Sequence, residues 1–385
     1  MALRLAGRLD ALQQSEIRNM SIECARVGGI NLSQGVCNTE VPIEVRRAAA
    51  EAIEAGANIY SRYDGAEELR RALSRKMREH NGLDYDPEGE IIVTVGATGA
   101  FYVAALAFLE PGDEVILFEP YYGYHVNTLR AVQAVPVYVD TEPPDWCFDP
   151  AALEAAISPR TRGIMVNTPQ NPSGKVFERS ELEMIADLAR SHDLFLFTDE
   201  VYEHFLFDGR EHLSPATFPD VRERTITMNA LSKTFAITGW RLGWIAADRR
   251  WARAFGPLSD LVYVCPPTPL QLGAARGLEL LGADYYDGIR VEYQEKRDRI
   301  CASLERAGLS PWVPQGSYYV LADISRLPGQ TSKERAMALL RETGVACVPG
   351  EAFFRGSQGH RMGRFCFGLT DEDLAEACRR LEKLA

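Results

Sequence analysis

Cysteine and long apolar runs are both limited in this sequence. Its 385 residues include eight cysteines, and no two of them stand at the close spacing of a zinc or redox motif. Scattered thiols of this kind indicate a reducing, cytoplasmic compartment rather than a disulfide framework. No apolar run approaches the roughly 18–20 residues that cross a bilayer, so the sequence predicts no membrane segment.

Basic residues are also in the minority, with 42 Lys and Arg against 54 Asp and Glu, for a net charge of −12. This charge is spread along the chain, which argues against a nucleic acid or an anionic membrane surface as partner. The six histidines form no zinc-protease motif. Glu200 and His204 stand at helical spacing, which we interpret as a surface pair, and the sequence predicts no metal site.

Apolar runs alternate with helical periodicity through the middle of the chain. Several runs are continuously apolar, as expected for strands covered on both faces in a mostly parallel sheet. The pattern predicts an α/β fold, with a mostly parallel central sheet and helices on both faces in a large domain, residues 43–283. Residues 1–42 and 284–385 are predicted to form a smaller α+β domain. The predicted strands span residues 90–95, 114–118, 163–166, 194–197, 225–231, 318–322, 345–348 and 364–367, and the predicted helices include 99–109, 179–191, 284–307 and 371–384.

Ligands of an open parallel sheet bind beyond the carboxyl ends of the strands, so the residues after each run are site candidates. Gly96-Ala97-Thr98 follows the first run and opens a helix, where backbone N–H groups can hold a phosphate; a plain tight turn is the alternative. Tyr122 follows the second run and could stack on a flat ring or cap the core. Asn171 follows the third run between two prolines, where its amide can donate to a ligand oxygen.

Charged side chains end the two remaining runs of the predicted large sheet. Asp199 follows a strongly apolar run, so its carboxylate is expected to be buried beside a cation, a helix N-terminus or a protonated ring nitrogen. Lys233 follows the last run, with Arg241 eight positions later, and an amine held out of water can act as a nucleophile. One ligand with a phosphate, a flat ring, a basic nitrogen, a ring oxygen and an aldehyde satisfies all these strand ends. Pyridoxal 5′-phosphate has these groups.

Three motifs give the chain a family resemblance: Asn171-Pro172-Ser173-Gly174, Thr198-Asp199-Glu200-Val201-Tyr202, and Ser232-Lys233-Thr234 followed by Gly239-Trp240-Arg241-Leu242-Gly243. With them, the chain resembles the class I/II pyridoxal-phosphate-dependent aminotransferases of fold type I over almost its whole length. The aspartate and kynurenine types are the most similar.

The resemblance implies a role for each residue of the cofactor site. Lys233 would form the Schiff base with the cofactor, and Asp199 would pair with the ring nitrogen. Tyr202 and Asn171 would contact the ring hydroxyl oxygen, and Tyr122 would stack on the ring. Lys233, Asp199 and Tyr202 are therefore the predicted catalytic residues.

The resemblance also implies how the phosphate is held. Gly96, Ala97 and Thr98 would surround it together with Arg241. Tyr60 matches a tyrosine that in this family reaches the phosphate from the neighbouring subunit, which implies an obligate homodimer. Ala230 is a departure, because the family usually has a phosphate-binding serine three residues before the lysine. One lost hydrogen bond costs about 1 kcal/mol or somewhat more, and the sequence leaves open whether Ser232 compensates.

For the substrate, the resemblance implies that Arg364 binds the α-carboxylate, assisted by Asn171 and the backbone of Gly35. The reaction would move an amino group from an L-amino acid to a 2-oxo acid by a ping-pong mechanism. Dicarboxylate-specific relatives carry a cation in the phosphate turn or some 34 residues after the lysine. This chain has Thr98 and the uncharged residues 264–268 there, which favours a neutral donor, aromatic or aliphatic.

Other functions remain open at this point. The same cofactor site supports β-lyases, racemases, decarboxylases and oxidative enzymes, which the strand-end residues barely separate. Aminotransferase-like domains also serve as ligand sensors in transcription regulators. Here the match begins within the first few dozen residues, so we expect no added DNA-binding module.

Overall fold

The computed structural model describes residues 3–12, 14–37 and 39–385. Residues 1, 2, 13 and 38, which fall in the predicted smaller domain, lie outside the described residues. The helices are α1 Glu16–Arg26, α2 Ile43–Glu54, α3 Glu67–Asn81, α4 Gly96–Phe108, α5 Gly123–Ala131, α6 Pro150–Ala155, α7 Arg179–Ser191, α8 Leu231–Thr234, α9 Arg249–Tyr263, α10 Thr268–Leu280, α11 Ala283–Arg306, α12 Ser332–Thr343 and α13 Asp371–Leu381. The strands are β1 Ile30–Asn31, β2 Ile91–Val95, β3 Glu114–Glu119, β4 Val135–Glu142, β5 Cys147–Phe148, β6 Thr161–Asn167, β7 Phe195–Asp199, β8 Thr225–Ala230, β9 Leu242–Ala246, β10 Ser310–Trp312, β11 Tyr319–Asp323, β12 Val345–Ala346, β13 Val348–Pro349 and β14 Met362–Cys366.

The central sheet has eight strands in the order β2-β9-β8-β7-β6-β3-β4-β5. The pairs β4/β3, β3/β6, β6/β7 and β7/β8 are parallel, whereas β9 runs antiparallel to both of its neighbours. Every residue of β3 and β8 is buried, as continuously apolar strands require. The predicted α/β fold with a mostly parallel sheet is confirmed.

Helices cover this sheet on both faces. Val115 and Leu117 of β3 pack in the cluster that contains Phe101 of α4, while Ile116 and Phe118 pack in the cluster that contains Leu182 of α7. Alternate residues of one strand thus contact different helices, because successive side chains point to opposite faces. The predicted double covering is therefore confirmed by the packing.

The C-terminal third forms a second sheet of four antiparallel strands in the order β10-β11-β14-β13. The predicted strand 345–348 is divided: Val345–Ala346 pairs in parallel with Ile30–Asn31, and Val348–Pro349 joins the four-stranded sheet. We propose that residues 1–42 and 284–385 form one domain and residues 43–283 the other. The pairing of β1 with β12 supports that grouping.

Two local expectations were wrong. Helix α4 begins at Gly96 rather than at residue 99, because Gly96 adopts a φ of 69° and turns the chain directly from β2 into the helix. Glu200 and His204 are not a surface pair, since they are 1% and 4% exposed. The Glu200 carboxylate instead bonds the His212 ring at 2.8 Å, and the His204 ring packs on Tyr286.

Within the described ranges, every helix is too short or too polar to cross a bilayer.

Candidate active site

The strand ends of the central sheet meet at a cavity of about 710 Å³. Of the twelve residues predicted for the site, ten line this cavity: Gly35, Ala97, Thr98, Tyr122, Asn171, Asp199, Tyr202, Lys233, Arg241 and Arg364. They come from segments more than 300 positions apart in the chain. For the residues that follow parallel strands, this convergence arises because the carboxyl ends of those strands share one edge of the sheet.

The two other predicted residues lie outside the cavity lining. Gly96 sits behind Arg241, where a Cβ would collide with the guanidinium group, so glycine is needed for the close approach of the two chain segments. Tyr60 is 80% exposed. Within this one chain, therefore, Tyr60 does not contribute to the site.

Lys233 lies in the short helix α8, directly after β8, with its amine facing the cavity. Its Nζ donates a hydrogen bond to the Gly35 carbonyl at 3.0 Å, and the rings of Tyr202 and Tyr318 lie 5.9 and 5.6 Å from it. Burial lowers the pKa of this amine from its ordinary 10.5. A larger share of the amine is therefore uncharged, and nucleophilic, at neutral pH.

Asp199 ends β7 and is 7% exposed. One carboxylate oxygen lies 2.9 Å from Nε2 of His125, and the other accepts a bond from the Val201 backbone N–H at 3.4 Å. No arginine or lysine pairs with this carboxylate among the described residues. A buried carboxylate so placed can pair with a cationic group in the cavity.

His125 was missed by sequence reasoning. It belongs to α5 and is 5% exposed, and its ring packs edge-on against both Phe101 and Tyr122. The only sequence signal was its position three residues after Tyr122, and spacing alone does not tell which helix face meets the cavity. The His125 ring orients the Asp199 carboxylate.

Arg364 lies on β14 and is fully buried. Its Nη1 donates to Asn171 Oδ1 at 2.7 Å and its Nη2 to the Ser33 carbonyl at 2.6 Å, while Nε has no partner. The rings of Tyr319 and Phe353 lie 4.2 and 4.9 Å from the guanidinium carbon. Because no carboxylate in the described chain pairs with Arg364, this buried cation can bind an external anion.

Asn171 is held in place from its own backbone. Its N–H donates to the side chain of Asn167 at 2.9 Å, and the Asn167 amide donates to the Asp199 carbonyl at 3.0 Å. Asn167 therefore links the loop after β6 to the end of β7. Sequence reasoning placed Asn171 in the site but did not single out Asn167 or the Ser33 carbonyl, which show no local motif.

Two tyrosines close the cavity beside Lys233. The hydroxyl groups of Tyr202 and Tyr319 lie 2.9 Å apart, and burial raises the pKa of both phenols. At neutral pH both therefore remain protonated and can act as hydrogen-bond donors. Gly35 leaves room for Tyr319, since a Cβ at that position would overlap the phenol.

An anion-binding corner lies where α4, α8 and Arg241 meet. The Arg241 guanidinium donates to the Thr238 carbonyl at 2.9 Å and has no carboxylate partner among the described residues. Ala230 lines the cavity without a polar group, whereas the buried Ser232 Oγ also lines it and has no hydrogen-bond partner. Free donors without an acceptor are expected where a phosphate binds.

One cluster outside the cavity has the composition of a metal site. Candidate ligand atoms of His80, Glu203 and His204 lie within 4.8 Å of one another. However, Glu203 already accepts bonds from Lys76, and from Asn81 and Asn229 at 2.8 and 2.7 Å. An ammonium group on the same carboxylate disfavours a metal ion there, and the expectation of no metal site stays a prediction.

Comparison with known proteins gives matches over nearly the full chain. The family model described as aminotransferase class I and II matches residues 27–381. The chain is 36% identical to the probable N-succinyldiaminopimelate aminotransferase DapC of Mycobacterium tuberculosis, with 98% of each chain covered. It is 35% identical to aromatic-amino-acid aminotransferase 2 of Thermococcus litoralis, over 99% of this chain and 98% of that one.

Solved structures agree with the sequence matches. The structure of N-succinyldiaminopimelate aminotransferase from Mycobacterium tuberculosis superposes with a TM-score of 0.95 at 36% identity. The superposition covers 99% of this chain and all of that one.

Proposed function

This chain belongs to the class I and II aminotransferases, and from that premise we propose that it moves the amino group of a neutral L-amino acid, aromatic or aliphatic, to a 2-oxo acid by a ping-pong mechanism. The chain is a pyridoxal-phosphate-dependent aminotransferase, as its family and its named relatives are. The proposed roles of the site residues rest on one observation. The buried Arg364 guanidinium, which pairs with no carboxylate of the described residues, shares one cavity with the Lys233 amine.

The residues present fit pyridoxal 5′-phosphate. Ser232 Oγ and Arg241 offer free donors to a phosphate, beside the N-terminus of α4 at Ala97 and Thr98. Among the described residues, no lysine or arginine pairs with Asp199, and its carboxylate can take a protonated ring nitrogen. We propose that Asn171 and Tyr202 bond the ring oxygen, that Tyr122 stacks on the ring, and that Lys233 forms the covalent link.

When bound, the cofactor supplies an aldehyde to receive the amino group and a cationic ring to accept the electron pair released at the substrate Cα. Arg364 orients the substrate by gripping its α-carboxylate, with the backbone at Gly35 alongside. Lys233 Nζ then accepts the proton from Cα, because its lowered pKa keeps the amine available as a base. Asp199, held by His125, keeps positive charge on its ring partner.

The proposed neutral donor is supported by apolar and aromatic residues in the lining of the cavity. Phe101, Ile17, Ile22 and Tyr124 line it, and Thr98 stands where some relatives carry a cation. An aromatic or aliphatic side chain can be buried against these groups. The name of the Thermococcus litoralis relative, an aromatic-amino-acid aminotransferase, is consistent with this choice.

We also propose a homodimer in which Tyr60 of one subunit reaches the phosphate of the other. The phenol is 80% exposed and lies outside the cavity of its own chain, as a residue with a role across an interface should.

The eight cysteines of the chain are all free thiols, which supports the proposed cytoplasmic location.

A panel of amino donors and 2-oxo acids tests the assignment. Purified enzyme with cofactor is mixed with each donor, and the visible spectrum is followed with and without an acceptor. A transaminase stops after one half-reaction when no acceptor is present, whereas a lyase, decarboxylase, racemase or oxidative enzyme continues to turn over. Activity on aspartate far above that on phenylalanine, leucine or methionine would contradict the neutral donor.

A further inference from the structure

The hydroxyl of Tyr319 lines the cavity and has no role in the proposed mechanism. Tyr319 lies on β11, whose neighbour β14 carries Arg364, and it is 2% exposed. A buried hydroxyl needs a hydrogen-bond partner. The partner of this one therefore shows what Tyr319 can do in the site.

The Tyr319 hydroxyl is bonded to that of Tyr202. The two phenol oxygens lie 2.9 Å apart, and either could donate to the other. Each phenol has a single proton to donate. In the proposed function, the Tyr202 proton goes to the ring oxygen of the cofactor, so the Tyr202 oxygen can only accept across this contact. Tyr319 is then the donor.

Packing fixes the Tyr319 hydroxyl in this position. The ring of Tyr319 lies 4.2 Å from the Arg364 guanidinium carbon. It meets the Tyr202 ring edge-on, with the two ring centroids 5.7 Å apart. The backbone of Gly35 closes another side, where a Cβ would overlap the hydroxyl. A donor held in this way needs little reorganisation when the cofactor binds.

We propose that Tyr319 is a positioning residue of the transamination site, whose hydroxyl donates to Tyr202 while Tyr202 donates to the ring oxygen of the cofactor. This inference rests on the proposed function and adds a residue that acts through Tyr202. In a chain of hydrogen bonds, each bond strengthens the next by about 10–30%. Tyr319 therefore makes Tyr202 a stronger donor to the cofactor.

The effect can be measured at the Lys233–cofactor link. The visible absorbance of this link changes when its nitrogen loses a proton, and the negative ring oxygen then loses its cationic neighbour. A donor to the ring oxygen stabilises the deprotonated form more than the protonated form, so it lowers the pH midpoint of the absorbance change. Without the Tyr319 hydroxyl, Tyr202 is a weaker donor and the midpoint should rise.

The test is a visible pH titration of the cofactor-loaded enzyme as wild type, Tyr319→Phe, Tyr202→Phe and the double variant. Tyr202→Phe removes a bond to a charged acceptor, which should raise the midpoint by about 1–2 pH units. Tyr319→Phe should raise it by about 0.1–0.6 pH units, since it removes only the strengthening of that bond. The double variant should have the same midpoint as Tyr202→Phe, because Tyr319 acts through the Tyr202 hydroxyl.

A second change at the same position should act in the opposite direction. Replacing Tyr319 with 3-fluorotyrosine keeps the hydroxyl and makes it a stronger donor, so the midpoint should fall. In Tyr319→Phe, binding of the unreactive carboxylate 3-phenylpropionate should stay near wild type, because the ring that packs on Arg364 is retained.

Tyr263→Phe is the matched control. The Tyr263 hydroxyl also bonds to a hydroxyl, that of Ser259 at 3.3 Å, but it does not line the cavity. Its loss should therefore leave the midpoint unchanged. Every variant retains the other titratable and charged groups that surround Lys233, namely Asp199, Cys37, Cys366, Arg241 and Arg364.

Three results would overturn the inference while leaving the cofactor link in place. They are an unchanged or lowered midpoint in Tyr319→Phe, an equal rise when Tyr319→Phe is added to Tyr202→Phe, and weakened 3-phenylpropionate binding in Tyr319→Phe. The second would mean that Tyr319 reaches the cofactor directly, and the third that it only supports Arg364. Failure of the wild-type enzyme to form any absorbing link at Lys233 would instead overturn the proposed function itself.

Discussion

Replacing Arg364 with lysine tests the α-carboxylate site and allows the size of the effect to be worked out. The guanidinium has five N–H donors. Two serve Asn171 and Ser33, which leaves Nε and its neighbouring N–H groups for a carboxylate. A lysine ammonium has three donors at one point, and the same two acceptors would occupy two of them. At least one charge-assisted bond to the substrate is then lost, about 1.5–3 kcal/mol, or roughly 10- to 100-fold in kcat/KM.

Two measurements on Arg364→Lys separate binding from misfolding. The kcat/KM for phenylalanine and the inhibition constant of 3-phenylpropionate, an unreactive carboxylate, should weaken together, while spectroscopic titration with pyridoxal 5′-phosphate should stay near wild type. Arg355→Lys is the control, because Arg355 pairs with Glu119 and Asp140 outside the cavity. Unaltered 3-phenylpropionate binding in Arg364→Lys would refute the assignment.

Three further predictions concern the cofactor site. Ser232→Ala should speed loss of cofactor on dialysis by about tenfold or more, since it removes a donor to a charged acceptor; unchanged retention would show that Ala230 is not compensated by Ser232. The coupling of Lys233 in the apoenzyme to pyridoxal 5′-phosphate should rise with pH and reach half its maximum below pH 10.5. Burial lowers the pKa of the amine, and the uncharged form is lost as the pH falls through this lowered pKa. A midpoint at or above pH 10.5 would contradict this. When Tyr60→Phe chains are mixed with Lys233→Ala chains, each hybrid dimer has one site with the native Lys233 of one chain and the native Tyr60 of the other. That site should bind the cofactor tightly, and no recovery of binding on mixing would argue against a shared site.

Several residues that the sequence placed in the site stand directly after apolar runs, whereas Gly35, Tyr60 and Arg364 were placed there by the family resemblance. Asp199 ends one strand of the central sheet and Lys233 lies three residues after another, so identifying the strands was enough to place both side chains. The assignment of Gly96 to the phosphate stays a prediction, and the structure shows that Gly96 makes the backbone turn that Arg241 packs against.

Residues that were not predicted act through tertiary contacts. His125, for example, reaches Asp199 from the first turn of α5. The antiparallel direction of β9 was likewise unpredicted, because the apolar run Leu242–Ala246 has the same composition whichever way it pairs. Tyr60 remains a prediction, since its proposed partner is on another subunit.

The proposed function depends above all on the Lys233 amine, which should carry the cofactor in the cavity at the strand ends. The direct measurement is to incubate the protein with pyridoxal 5′-phosphate, reduce it with borohydride and map the labelled peptide by mass spectrometry. We expect one modified residue, Lys233, and no stable label in a Lys233→Ala variant of the same thermal stability. Label at another lysine, or undiminished label in that variant, would contradict it.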